Sequence, residues 1–132
     1  MTRADLLTYA ASLFAALAEE AQIPLEDTAA GLKYQLDGVQ AATAADSDNA
    51  DAQQALIEYH TLRKMRIALA ARSDVNSTGI RKGRSQIFEQ VDSLIKDASE
   101  RSAAAGYAVA SAGDYGHTAL TLDYLEPEDT AL

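Results

Sequence analysis

ALIEYHTLRKMRIALAAR, residues Ala55 to Arg72, leads through SDVNSTGIRKGR, Ser73 to Arg84, into SQIFEQVDSLI, Ser85 to Ile95. In the first of these runs Ala55, Tyr59, Leu62, Met65 and Leu69 recur at steps of three and four, which brings side chains to one face of an α-helix. Leu56 and Ile67 widen that stripe, and a helix apolar over more than one face packs against more than one neighbour. Beyond the middle run, Ile87, Val91, Leu94, Ala98 and Ala105 share one side, with Phe88 and Ile95 adjacent. The spacing predicts a second long helix from Arg84 or Ser85 to Gly106, a left-handed terminator that Tyr107 follows with a hydrophobic contact. The run Ser73 to Arg84 is then a basic, extended loop joining two long helices.

Charge isolates the same region. The chain before Tyr59 carries two basic and ten acidic side chains, Tyr59 to Arg84 carries seven and one, and the remainder carries two and nine, for a formal net charge of −9 over 132 residues. One domain fits this length. There is no cysteine, which excludes disulfides and thiolate metal sites. The apolar content rests largely on alanine, with six Tyr, two Phe and no Trp, a composition suited to closely packed helices.

Upstream, Thr2 and Asp5 have the spacing of a capping box, and Leu6, Ala10, Leu13 and Leu17, with Phe14 beside them, predict a first helix to about Ala21. Asp5 sits in what would be the basic region of a secretory signal, against that reading. Pro24 breaks the pattern; Asp27 or Thr28 can cap a second helix bearing Leu32, Leu36 and Val39. Ala42 to Asn49 is a polar connection, and Asp48 starts the third helix. No apolar run approaches the roughly 18 residues of a membrane span, so a soluble protein is expected. After Gly106, Leu120, Leu122 and Tyr124 alternate with Thr121 and Asp123 at the period of a strand, and Leu125 follows. The expectation is therefore an all-α bundle of about four helices over residues 1–106, with an extended C-terminal arm over 107–132 that either frays or adds as a strand to another chain.

Motif tests remove several chemistries. A calcium loop counted from Asp46 would have Asp51 at its turn glycine and Ile57 at its bidentate glutamate, so capping explains these acids better. Gly79 and Gly83 have three residues between them, where a nucleotide P-loop has four, and Lys82 precedes the second glycine instead of following it. His60 and His117 have no His or Cys at metal spacing, and no acid and base pair can be picked out, so neither metal, cofactor nor enzymatic activity is expected. About a dozen residues between the helices are too many for a DNA-binding helix-turn-helix. Arg63, Lys64, Arg66, Arg72, Arg81, Lys82 and Arg84 could contact phosphates, yet the net charge opposes a polyanion, and half of a charged protein interface is the more economical reading.

GLKYQLDG, ALIEYHTLRKMRIALAAR, SDVNSTGIRKGR and SQIFEQVDSLI together resemble the helical head-to-tail adaptor, or connector, proteins of tailed bacteriophages and related gene-transfer particles, over roughly Gly31 to Tyr107. The resemblance implies a homo-oligomeric ring, commonly a dodecamer, in the virion neck between capsid and tail, assembled in the host bacterial cytoplasm. It would dock to the portal protein, meet a stopper or tail-completion protein, and let genomic DNA pass without specific binding. It also implies portal-facing contacts from the loop, with Val75, Ile80, Arg81, Lys82 and Arg84, and from the arm, with Leu120, Leu122, Tyr124 and Leu125. The alternatives are a small helical nucleic-acid-binding module and a non-enzymatic helical regulator that binds one partner protein.

Overall fold

The computed structural model describes residues 1–73 and 78–109, with side chains over 1–71 and 86–109. Among these residues it has four helices, α1 (Arg3–Ala21), α2 (Lys33–Ala42), α3 (Ala50–Ser73) and α4 (Thr78–Ala104), an all-α bundle. α3 is the hub: α1, α2 and α4 each pack closely against it, whereas the backbones of α1 and α4 stay apart. The reason lies in the first half of α3, where Ala52, Ala55, Leu56, Ile57, Tyr59 and Leu62 are all buried along with Gln53, Glu58 and Thr61. A helix buried on all sides needs cover on all sides. Met65 and Leu69 extend the core, and Leu32, Leu36 and Val39 of the α2 region and Val91, Ile95 and Ala98 of α4 close on it. Each such Leu, Ile or Val contributes roughly 1.5–3 kcal/mol by leaving water, against about 0.2–1 kcal/mol for a partly exposed ion pair such as Arg66 with Asp92. Apolar burial around α3 therefore holds the bundle together.

The ends of the helices follow local rules. Thr2 Oγ1 accepts from the Asp5 amide at 3.1 Å while Asp5 Oδ2 accepts from the Thr2 amide at 3.2 Å, the reciprocal capping box expected at the start of α1. α1 buries Leu6, Ala10, Phe14 and Ala18 at four-residue steps; Leu13, expected inside, is half exposed. The helix bends at Phe14, whose φ of −120° and ψ of 18° leave the helical region. Two residues earlier the Ser12 hydroxyl donates back to the Tyr9 carbonyl at 2.7 Å, a contact that bends helices. At the other end of the bundle the Gly106 amide donates to the Ala103 carbonyl at 3.0 Å and the Tyr107 amide to the Ser102 carbonyl at 2.9 Å, with Gly106 at φ +101°. This is a Schellman cap, the stop foreseen at Gly106. Tyr107 and Val109 still pack on the core.

Three boundaries differ from expectation. α2 starts at Lys33, not near Asp27, because Thr28 is occupied in a turn where its hydroxyl and carbonyl both accept from the Gly31 amide, at 3.2 and 2.9 Å. Asn49 rather than Asp48 caps α3, its Oδ1 accepting from the Ala52 amide at 3.1 Å. α4 starts at Thr78, not at Arg84 or Ser85, so Ile80, Arg81, Lys82 and Arg84 lie on helical backbone instead of in an extended loop. Thr118 to Leu125, where a C-terminal strand was expected, lies outside the described residues.

Gly31 is the tightest point of the fold. A Cβ there would stand 2.3 Å from the Glu26 carbonyl oxygen and 2.7 Å from that of Pro24, both backbone atoms with no freedom to rotate away. Gly31→Ala is expected to lower unfolding free energy by about 2 kcal/mol or more, within the range of overpacked sites. A urea titration followed by circular dichroism measures it, and an unchanged midpoint would show that the turn yields freely.

Candidate interaction surfaces

α3 presents different chemistry to its two sides. On the side shared with α1 and α4, Glu58 is largely buried, and its carboxylate is held from both neighbouring helices. The Tyr9 hydroxyl donates to Glu58 Oε2 at 2.5 Å from α1, and Arg101 donates from α4 to both carboxylate oxygens, at 3.1 and 2.5 Å. Arg101 also reaches Asp97 one turn earlier at 2.9 Å. The two carboxylates raise the Arg101 pKa, chiefly through its hydrogen bonds to Glu58. Burial, followed by the bond to Glu58, pushes the Tyr9 phenol up to about 12.

Next to this network lies a groove of about 520 Å³ between α1 and α4, lined by Leu13, Phe14, Leu17, Ile87, Val91 and Leu94, with Glu20 and Glu58 among its polar lining. Leu13 is 50 % exposed and Leu94 46 %. A shallower depression runs on from Leu94 past Gln86, Glu89, Gln90 and Ser93.

The second surface lies between α2 and α3, a cleft of about 450 Å³ lined by Tyr34, Gln35, Gly38, His60, Arg63, Lys64 and Ile67. Tyr34 is 60 % exposed and Ile67 56 %. Ile67 was expected to widen the buried stripe. It sits three and four residues from Lys64 and Arg63, which puts it on their face, and about half a turn from Met65. Ile67 also stands nine residues from Glu58, about two and a half turns along α3, so the cleft and the groove occupy opposite sides of that helix. Burial, with Arg63 adding to it, lowers the His60 pKa and keeps the ring neutral at pH 7. That ring meets Tyr59 edge-on, with centroids 5.3 Å apart.

Arg63, Lys64 and Arg66 of α3 serve the fold, and the side chain of Arg72 lies outside the described residues. Lys64 Nζ donates to the carbonyls of Ala29, at 3.5 Å, Ala30, at 3.3 Å, and Gly31, gripping the turn before α2. Arg63 lies over the Tyr59 ring, with Cζ 5.5 Å from its centroid. Arg66 stacks 4.3 Å over Phe88 and donates to Asp92 of α4 at 2.9 Å. Read from sequence as phosphate-contact candidates, Lys64 and Arg66 instead hold the turn before α2 and α4 on α3, and Arg63 stacks within α3. Ile80, Arg81, Lys82 and Arg84 share the first turns of α4, while their side chains, like Val75, Leu120, Leu122, Tyr124 and Leu125, fall outside the described residues. Leu13 and Tyr34, the outward members of the two surfaces, were not foreseen as such. A helical wheel could have set Ile67 apart from the buried stripe, but nothing in the sequence marks Leu13 as outward once α1 bends.

No helix among the described residues is long and apolar enough to cross a membrane. Comparison with family models, with curated proteins and with solved structures finds no match for this chain.

The Tyr9, Glu58 and Arg101 contacts give two expectations. Because the folded phenol titrates near 12 and a free tyrosine near 10, its contribution to stability is complete below pH 10 and is lost as pH rises through 12. Tyr9→Phe should accordingly flatten the alkaline fall in thermal midpoint over that window. Arg101→Met should cost about 1–2 kcal/mol in denaturant unfolding, less than the 3–5 of a wholly buried pair because Arg101 is 45 % exposed. Wild-type stability in that variant would mean that solvent already carries the Glu58 charge.

Proposed function

We propose that this protein is a structural ring subunit of a phage neck, a head-to-tail adaptor that docks to the portal and forms part of the channel through which DNA leaves the capsid. One observation carries the reading furthest: the exposed large apolar side chains among the described residues, Leu13, Leu94, Tyr34 and Ile67, fall into two patches on opposite sides of α3. A body with unlike sticky faces on opposite sides associates head to tail, and such contacts build rings when the rotation closes. The resemblance of Gly31 to Tyr107 to the connector proteins supplies the setting, and the acidic ends of the chain suit a wall past which DNA slides without sticking. In this reading the stopper or tail-completion protein sits on the far side of the ring, and the protein resides in the virion.

The basic start of α4, with Arg81, Lys82 and Arg84, and the C-terminal arm, with Leu120, Leu122, Tyr124 and Leu125, are the portal-facing contacts of this proposal. The nucleic-acid reading loses ground because Arg63, Lys64 and Arg66 are engaged within the bundle. Light scattering on a sizing column, for the protein alone and mixed with the portal protein encoded beside it, should give co-elution at about one copy per portal subunit. The double variant R81E/K82E should keep its helical circular dichroism and lose that co-elution. A lone small species with no shift would overturn the adaptor assignment in favour of a regulator that binds a single partner.

A further inference from the structure

The His60 ring lies half-buried in the seam between α2 and α3. It meets the buried Tyr59 ring edge-on at 5.3 Å, and its Nε2 ends against α2, 3.9 Å from where a Cβ at Gly38 would stand. From α3, Arg63 and Lys64 line the same cleft; from α2, Tyr34 and Gln35 do. Lys33 adds a further cation on α2, its Nζ 5.8 Å from the centroid of the Tyr34 ring. No carboxylate lines the cleft among the described residues, and Asp37, the one acid of α2, is held by Arg3 of α1 at 2.6 Å. A proton on His60 would therefore place another positive charge between two helices, beside cations and with no anion lining the cleft to meet it. Water removes that cost as soon as the ring reaches it.

We propose that protonation of His60 releases α2 from α3, an acid-triggered opening of the bundle that uncovers Leu36 and Val39. α2 is placed to yield: it is ten residues long, its N-cap residue Leu32 makes no side-chain capping bond, and Leu36 and Val39 are its buried residues. The sign follows from the burial of the ring. The closed form binds the proton more weakly than a free imidazole, which titrates near 6.5, because desolvation and Arg63 both disfavour the charge. Closure is therefore fully favoured above about pH 6.5 and loses ground as pH falls below it, by at most tenfold per pH unit for one ring. The Arg3 clamp on α2 does not share this window, since the bond to Arg3 holds the Asp27 carboxyl below the usual carboxylate range. The switch depends on no part of the ring reading.

The chain has two histidines, so the full-length variant H117Q leaves His60 as the only imidazole to follow by NMR. Its ring should titrate below 6.5. In the same sample, amide hydrogen exchange between pH 7 and 5, corrected for intrinsic rates, should show the Leu36 and Val39 amides losing protection severalfold, with a ceiling of about 25-fold set by one imidazole. The amides of Val91 and Ile95 in α4 should keep theirs. Adding H60Q, which cannot take the proton, should leave α2 protection flat over that range, and H60F serves the same purpose should the glutamine variant fold poorly. A ring that titrates at or above 6.5 would overturn the proposal. So would α2 protection that stays constant from pH 7 to 5, or an equal loss in the H60Q and H60F variants. A loss spread evenly over α2 and α4 would also sink it, because the whole bundle and not α2 would then be yielding.

Discussion

The bundle depends on the need to cover α3 on every side. Between Ala52 and Leu62 only Gln54 and His60 escape full burial, so this part of the helix has no solvent face from which the fold could be read. Three helices are the means of covering it. α1 takes one flank, α4 another and α2 a third, and once these places are filled α4 needs no close backbone approach to α1 or α2. The groove between α1 and α4 follows from that arrangement: two cylinders laid on a third diverge wherever no side chain bridges them.

Polar groups enter this interior on strict terms. Gln53 donates to the Thr43 hydroxyl at 3.2 Å, and that hydroxyl donates to the Val39 carbonyl at 2.8 Å, so the buried amide ends in a helix backbone. Glu58, a far costlier group to bury, is met by a guanidinium and a phenol from two helices. The carboxylate therefore fixes the rotation of α3 relative to α1 and α4 in a way that interchangeable leucines could not. Glu58 thus contributes uniqueness of packing more than strength, since an ion pair in such a setting roughly offsets its own desolvation.

Much of the fold was legible because it obeys local rules. The capping box at Thr2, the end of α1 at Ala21 and the Schellman stop at Gly106 are each decided within a few residues, and sequence alone places them. The buried stripe of α3 was legible for the same reason. What escaped is what other elements decide. The start of α2 depends on the close approach of Gly31 to Pro24 and Glu26, and the outward turn of Leu13 on a bend at Phe14. The role of Lys64 depends on carbonyls more than thirty residues away in the chain. In the basic segment, glycines at positions 79 and 83 and clustered cations suggest a loop, and helical backbone runs through them nonetheless.

Lys64 has a further consequence. By hydrogen bonding a row of carbonyls just before α2, it ties the start of that helix to α3 beside the cleft that Tyr34 and Ile67 line. The lysine acts as a tether. The shape of an exposed surface is held from beneath by a side chain whose charge faces the backbone, and variation at that position would alter the fit of the surface without changing any residue that a partner touches.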